Sequence, residues 1–161
     1  MDWEVVTSIS EAIGAIAVVA SLLFLGFQMR QNTRALNAAT AREVMRDMSA
    51  HLRELSESPS MANIWFDGLT DPTSLSREDR RRFAVYATNM CRLLESVVIE
   101  ESAGHLRPEQ WFGVRGTFEW QASQPGFQAW WIGEHGFPGA RRLFNTDLRD
   151  FVDSAMRESS I

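Results

Sequence analysis

Across the twenty-one residues from Ile9 to Met29 the chain carries one ionisable side chain, Glu11, and the stretch is followed at once by Arg30 and Arg34. As a helix it would reach about 31 Å, close to the roughly 30 Å hydrocarbon thickness of a bilayer. A core helix of a water-soluble domain carries a polar face instead of staying apolar all round. The stretch therefore reads as a transmembrane helix, and the chain divides into an N-terminal segment with its span, residues 1–29, and a helical domain, residues 30–161.

A secretory signal would open on a basic segment and end at a small-residue cleavage site. This chain opens on Met1-Asp2-Trp3-Glu4, so the span is expected to be retained as an anchor. Asp2, Glu4 and Glu11 precede most of the apolar run, whereas Arg30, Arg34, Arg42 and Arg46 follow it. The positive-inside rule then places the N-terminus outside and the C-terminal domain in the cytoplasm. Ser8-Ile9-Ser10-Glu11 matches a capping box, in which Glu11 would serve the first helical turn. Its alternative is an acid on an ion or proton path, because charge inside a bilayer is costly.

One side of the span is small and weakly polar, with Thr7, Ser10, Gly14, Ala17, Ser21 and Gln28 at helical spacing, interrupted by Phe24. Small residues let helices approach closely in lipid, so this is the expected face of a homo-oligomer. A pore lined by the same stripe is the alternative. Between Gly26 and Pro59 there is neither Gly nor Pro, and the helix is expected to run on to about Glu57. Ala38, Ala41, Met45, Met48, Leu52 and Leu55 are spaced three and four apart, a heptad seam that would extend the oligomer interface from the span into the domain.

Further elements follow from turn and cap signals. Ser58-Pro59 opens a short helix carrying Met61, Ile64, Trp65 and Leu69, and Asp71-Pro72 ends it. Ser76 caps a long helix reaching about Ser102, with Phe83, Ala87, Met90, Leu94 and Val97 inward and Gly104 as its stop. Pro108 begins a fourth helix, in which Gly113 and Gly116 are expected to admit the large rings of Trp111, Phe112, Phe118 and Trp120. Pro125 to Gly133 forms a short helix, Gly136 to Gly139 a turn, and Asn145 or Thr146 to about Met156 the last helix. No run alternates apolar and polar residues as a strand would. The expected fold is all-α: a transmembrane helix continuous with a long helix of a cytoplasmic antiparallel bundle.

Composition excludes several chemistries. All 16 basic residues other than histidine are Arg, so a phosphate-binding loop ending in GK[ST], a Schiff-base lysine and a Ser-Lys dyad are ruled out. With 21 acids and a net charge of −5 there is no basic excess for nucleic acid. Cys91 is the one cysteine, which leaves no disulfide framework. His51, His105 and His135 occur in no HxxxH or ExxH pattern, so no metal or other cofactor is expected, and no residue is assigned to catalysis. The soluble tryptophans read first as core. Trp130 and Trp131, with Phe127 and Phe137, would otherwise rest on the membrane interface or line an apolar pocket, and Trp111 would line such a pocket too. Glu95, flanked on its helix by Cys91, Val98 and Ile99, reads as a structural ion pair or a ligand anchor.

Leu23 to Ala35, Ile64-Trp65 with Gly68-Leu69, the Arg run ending at Phe83, Glu95, Gly104 ahead of Trp111, and Pro125-Gly126 ahead of Trp130-Trp131 together carry a resemblance. The chain resembles an uncharacterised family of small bacterial inner-membrane proteins with one N-terminal span and a cytoplasmic helical domain. The resemblance implies that architecture and location, and no activity. The leading functional expectation is a membrane-anchored interaction or scaffold protein with the bilayer, its own copies and a further protein as partners. An oligomeric ion channel, and an enzyme or small-ligand sensor with a Trp-lined pocket, are the alternatives.

Overall fold

The structure is a computed structural model; it describes residues 3–158, and the side chains of all of these except 5–10 and 12. Six α-helices and one short 3-10 turn make up the fold, with no strand among the described residues. The chain divides into two compact units, residues 1–39 and residues 40–161, a boundary ten residues beyond that expected.

The first unit is helical from Trp3 onward, the beginning of α1 (Trp3–Glu57). No glycine or proline lies between Trp3 and Gly14, so nothing stops the helix from starting ahead of Ser8. Ser8 to Glu11 is thus helix interior, and the expected capping box is not the helix start. Within this unit Ile13, Ile16, Leu22, Leu23, Phe24 and Phe27 are all exposed.

The second unit holds the remainder of α1 and the other five helices. Ser58 caps α2 (Pro59–Thr70) by accepting the Met61 amide at 3.3 Å, with proline in the first turn where its missing N–H is harmless. Ser76 does the same for α3 (Arg77–Ser102), accepting from the Asp79 N–H at 3.1 Å. Gly104, at φ +75°, turns the chain out of α3 in the left-handed conformation that favours glycine. Then come α4 (Pro108–Ala122), α5 (Pro125–Ile132), the 3-10 turn Arg141–Leu143 and α6 (Thr146–Glu158).

One continuous core joins them. Trp65 of α2 stacks on Phe83 of α3 at 5.0 Å and meets Tyr86 edge-on at 4.8 Å. Phe127, Trp130 and Trp131 of α5 pack on one another, both tryptophans meet Phe144, and Phe118 of α4 bridges Phe127 and Phe151. Rings of this size each bury 150–250 Å², so a few of them hold a small helical unit together. Where α5 crosses α2, Gly126 and Gly68 replace side chains with backbone contact.

Three expectations are corrected here. Gly113 and Gly116 admit no ring: a Cβ at either would meet nothing within 4 Å, and Phe112 and Trp120 are themselves exposed. Both glycines are exposed, whereas Trp111 and Phe118 of the same helix are buried. The seam of α1 within this unit is turned by one residue from the heptad read in the sequence. Val44 is buried, with Ala41, Met48, His51 and Leu55 partly buried, whereas Met45 and Leu52 are exposed. His51 takes a position that an apolar pattern leaves blank because its ring stacks on Tyr86 at 4.1 Å. Lastly, Trp130, Trp131, Phe127 and Phe137 are buried and unavailable to a membrane surface.

Candidate functional site

Met45, Met48 and Leu52 of α1, Tyr86, Met90 and Leu94 of α3, and Phe112, Val114 and Phe118 of α4 enclose an apolar groove of about 370 Å³ in the second unit. α1 and α3 contribute residues spaced three or four apart, which is how helices present ridges around a shared trough, and α4 adds Phe112, Val114 and Phe118. Methionine adapts to irregular gaps, and three of these residues are methionine.

Ser49, Glu109, Gln110 and Thr117 also line the groove, and two further polar side chains are buried or partly buried in its wall. Gln121 is the one buried polar or charged residue among those described, and it lines the groove. His51 also lines it, with Nε2 buried and without a hydrogen-bond partner among the described residues. Burial lowers the His51 pKa below its ordinary value, so the ring is neutral at pH 7. Its place is fixed by Tyr86, which stacks on the ring and donates its hydroxyl proton to the His51 carbonyl oxygen at 3.2 Å. Burial, then the nearby Glu54 charge, raise the Tyr86 pKa, keeping the phenol protonated as a donor.

The residues singled out in the sequence do not meet at one place. Glu11, Gly14, Ala17, Ser21 and Gln28 lie in the first unit, all exposed; the Ser10 and Thr7 side chains lie outside the described residues. Ser21 donates its hydroxyl proton to the Ala17 carbonyl at 2.8 Å, satisfying itself within its own helix. Ala38 is exposed, and Met45 and Leu52 line the groove. Trp111, Trp130 and Trp131 are buried in the core and none lines the groove, so the pocket that exists is walled by methionine, leucine and phenylalanine in place of tryptophan.

Glu95 is accounted for structurally. Its Oε1 accepts the Asn145 amide at 2.7 Å and its Oε2 accepts from Arg92 at 2.7 Å. Asn145 in turn accepts the Leu148 amide at 2.8 Å, so the carboxylate holds the residue that starts α6. Burial pushes the Glu95 pKa up, but the Asn145 N–H and Arg92 outweigh it and hold the group below its ordinary value. Arg92 also donates to the Leu143 carbonyl and lies 4.7 Å over the Phe144 ring. At the far side of α6, Asp153 accepts from the Trp131 indole at 2.9 Å and from Arg141 through two nitrogens.

His51 was read only as an unlikely metal ligand, and Gln121 was not read at all. The signal that would have found them is a polar residue at a core-facing position of a helix, at 51 on the 44–48–55 face and at 121 next to Ala122. Among the described residues, no group of three or more His, Cys, Asp or Glu stands close enough to hold a metal ion. No protein-family model matches this chain, and no curated protein or solved structure matches it significantly.

Proposed function

We propose that this protein is a membrane-anchored helical interaction protein that self-associates through the small-residue side of its N-terminal helix. The observation that carries the reading is the exposure of the large apolar residues from Ile13 to Leu36, in a helix long and apolar enough to cross a bilayer. Apolar surface of that extent is covered by lipid or by another helix. Gly14, Ala17 and Ser21 offer the close approach that helix pairing in lipid requires, and Ile13, Ile16, Leu23 and Phe27 suit contact with acyl chains.

The Arg residues after the apolar run favour a cytoplasmic C-terminal unit, and the family resemblance favours a bacterial inner membrane. The experiment is the mass of the full chain in detergent, by light scattering or sedimentation. An oligomer dissociated by Gly14→Leu or Ala17→Leu supports the proposal. A monomer, or an oligomer indifferent to both substitutions, overturns it. Orientation is tested separately by protease protection in sealed vesicles: the second unit is cut from the cytoplasmic side if the proposed topology holds.

A further inference from the structure

The groove between α1, α3 and α4 is independent of that self-association face. Its size falls within the 300–1,000 Å³ of ordinary small-molecule sites. Its charge is informative. The chain has 16 arginines, yet none lines the groove, and Glu109 is the one carboxylate that does. An anionic head group would meet that carboxylate with no cation to offset it, and an apolar wall that cannot solvate charge. A ligand with no polar group would offer no hydrogen bond to Gln121, the buried polar side chain of the lining, which is costly for a buried donor or acceptor.

We propose that this groove binds an uncharged single-chain amphiphile, with an aliphatic chain along Met45, Met48 and Met90 and a hydroxyl head hydrogen-bonded to the Gln121 amide. Either end of that amide serves, because a hydroxyl both donates and accepts. Methionine walls fit chains of variable shape better than branched side chains do. Among the lining residues Leu52 and Phe112 are exposed, so the groove has an open side through which such a chain can enter.

The test is photolabelling of the full chain in lipid nanodiscs. The probe is a dodecanoyl monoglyceride bearing a diazirine, with labelled peptides mapped by mass spectrometry. Labelling is expected in the segments 45–52 and 109–121, and roughly tenfold weaker there with a dodecanoate probe of the same chain. Leu52→Trp, which fills the open side from an exposed position, is expected to abolish groove labelling while labelling of residues 13–29 by bilayer-dissolved probe is unchanged. Gln121→Leu keeps the size of the side chain and is expected to weaken labelling by the monoglyceride roughly tenfold, with no effect on a headless alkyl diazirine. Circular dichroism establishes that each variant is folded, and Met90→Trp fills the groove from α3 should Leu52→Trp fail that check. Absence of groove labelling, labelling unaffected by either filling substitution, or preference for the carboxylate probe overturns the proposal. So does labelling that disappears as protein density in the nanodisc rises, which would make a second copy the occupant.

Discussion

Gly126 rests against the backbone of Gly68. A methyl group on Gly126 would overlap the Gly68 carbonyl oxygen and stand 2.7 Å from its carbon and 3.1 Å from the Leu69 Cα. Both partners are backbone, so neither can swing aside, and α5 would have to move off α2. Gly126→Ala is expected to destabilise the second unit by about 3 kcal/mol, read from the denaturant midpoint followed by tryptophan emission. Gly113→Ala and Gly116→Ala place a methyl group where nothing stands within 4 Å and are expected to stabilise α4 by about 0.5–1 kcal/mol. Equal damage from all three would refute the assignment of the crossing to Gly126.

Glu95 and Asp153 tie the two flanks of α6, and both have pKa values held below the ordinary 4.5 and 3.8. For a carboxylate with a depressed folded-state pKa, the unfolded chain binds its proton first as pH falls. The stabilisation is complete above the ordinary value and is lost as pH drops through the folded one. Stability is therefore expected to decline below about pH 4.5, and less steeply in Glu95→Gln. Glu95→Ala, which also orphans the Asn145 amide, is expected to cost about 2 kcal/mol at pH 7.

His51 titrates in the other part of the range. Its folded-state pKa lies below 6.5, so on acidification the unfolded chain takes up a proton that the folded chain refuses. That gives a loss of stability as pH falls below 6.5, separate from the carboxylate region. The decline that sets in below pH 6.5 should vanish in His51→Phe; a decline of unchanged size would show that another group is responsible.

Cys91 is fully buried on α3, and burial first, then the Glu95 charge, raise its pKa well above the usual thiol range. A thiolate is the reactive form, so the native protein should resist an aromatic disulfide reagent for as long as it stays folded. Reaction is expected at the rate of unfolding, and faster in Gly126→Ala. Rapid modification of the native protein with no loss of structure would contradict this placement.

Much of the helix order was legible because its punctuation is chemical. Ser58-Pro59, Ser76 and Gly104 each do what their backbone preferences require, and the ends of α1, α2 and α3 fall accordingly. The apolar run of α1 was visible for the same reason, since no polar face interrupts it. What failed was anything that depends on which neighbour a residue meets. Gly113 and Gly126 look alike in the sequence, and only packing tells an open glycine from one pressed on a carbonyl. The α1 seam was misread by one position because His51, counted as polar, is made part of the core by the Tyr86 ring. The groove was missed outright: its walls come from three separate helices, and buried Gln121 and part-buried His51 match no motif.

The pairing of α3 with α6 sets a timetable for the newborn chain. Leu148 and Val152 are fully buried, and Glu95 waits for Asn145, so the core of the second unit closes only after α6 has been made. The apolar residues of α1 emerge more than a hundred residues earlier. At roughly 5–20 residues per second, ~6–25 s separate the two events. During that interval a targeting factor would find an exposed apolar helix with no folded structure behind it, and a chaperone would find four tryptophans still looking for their partners.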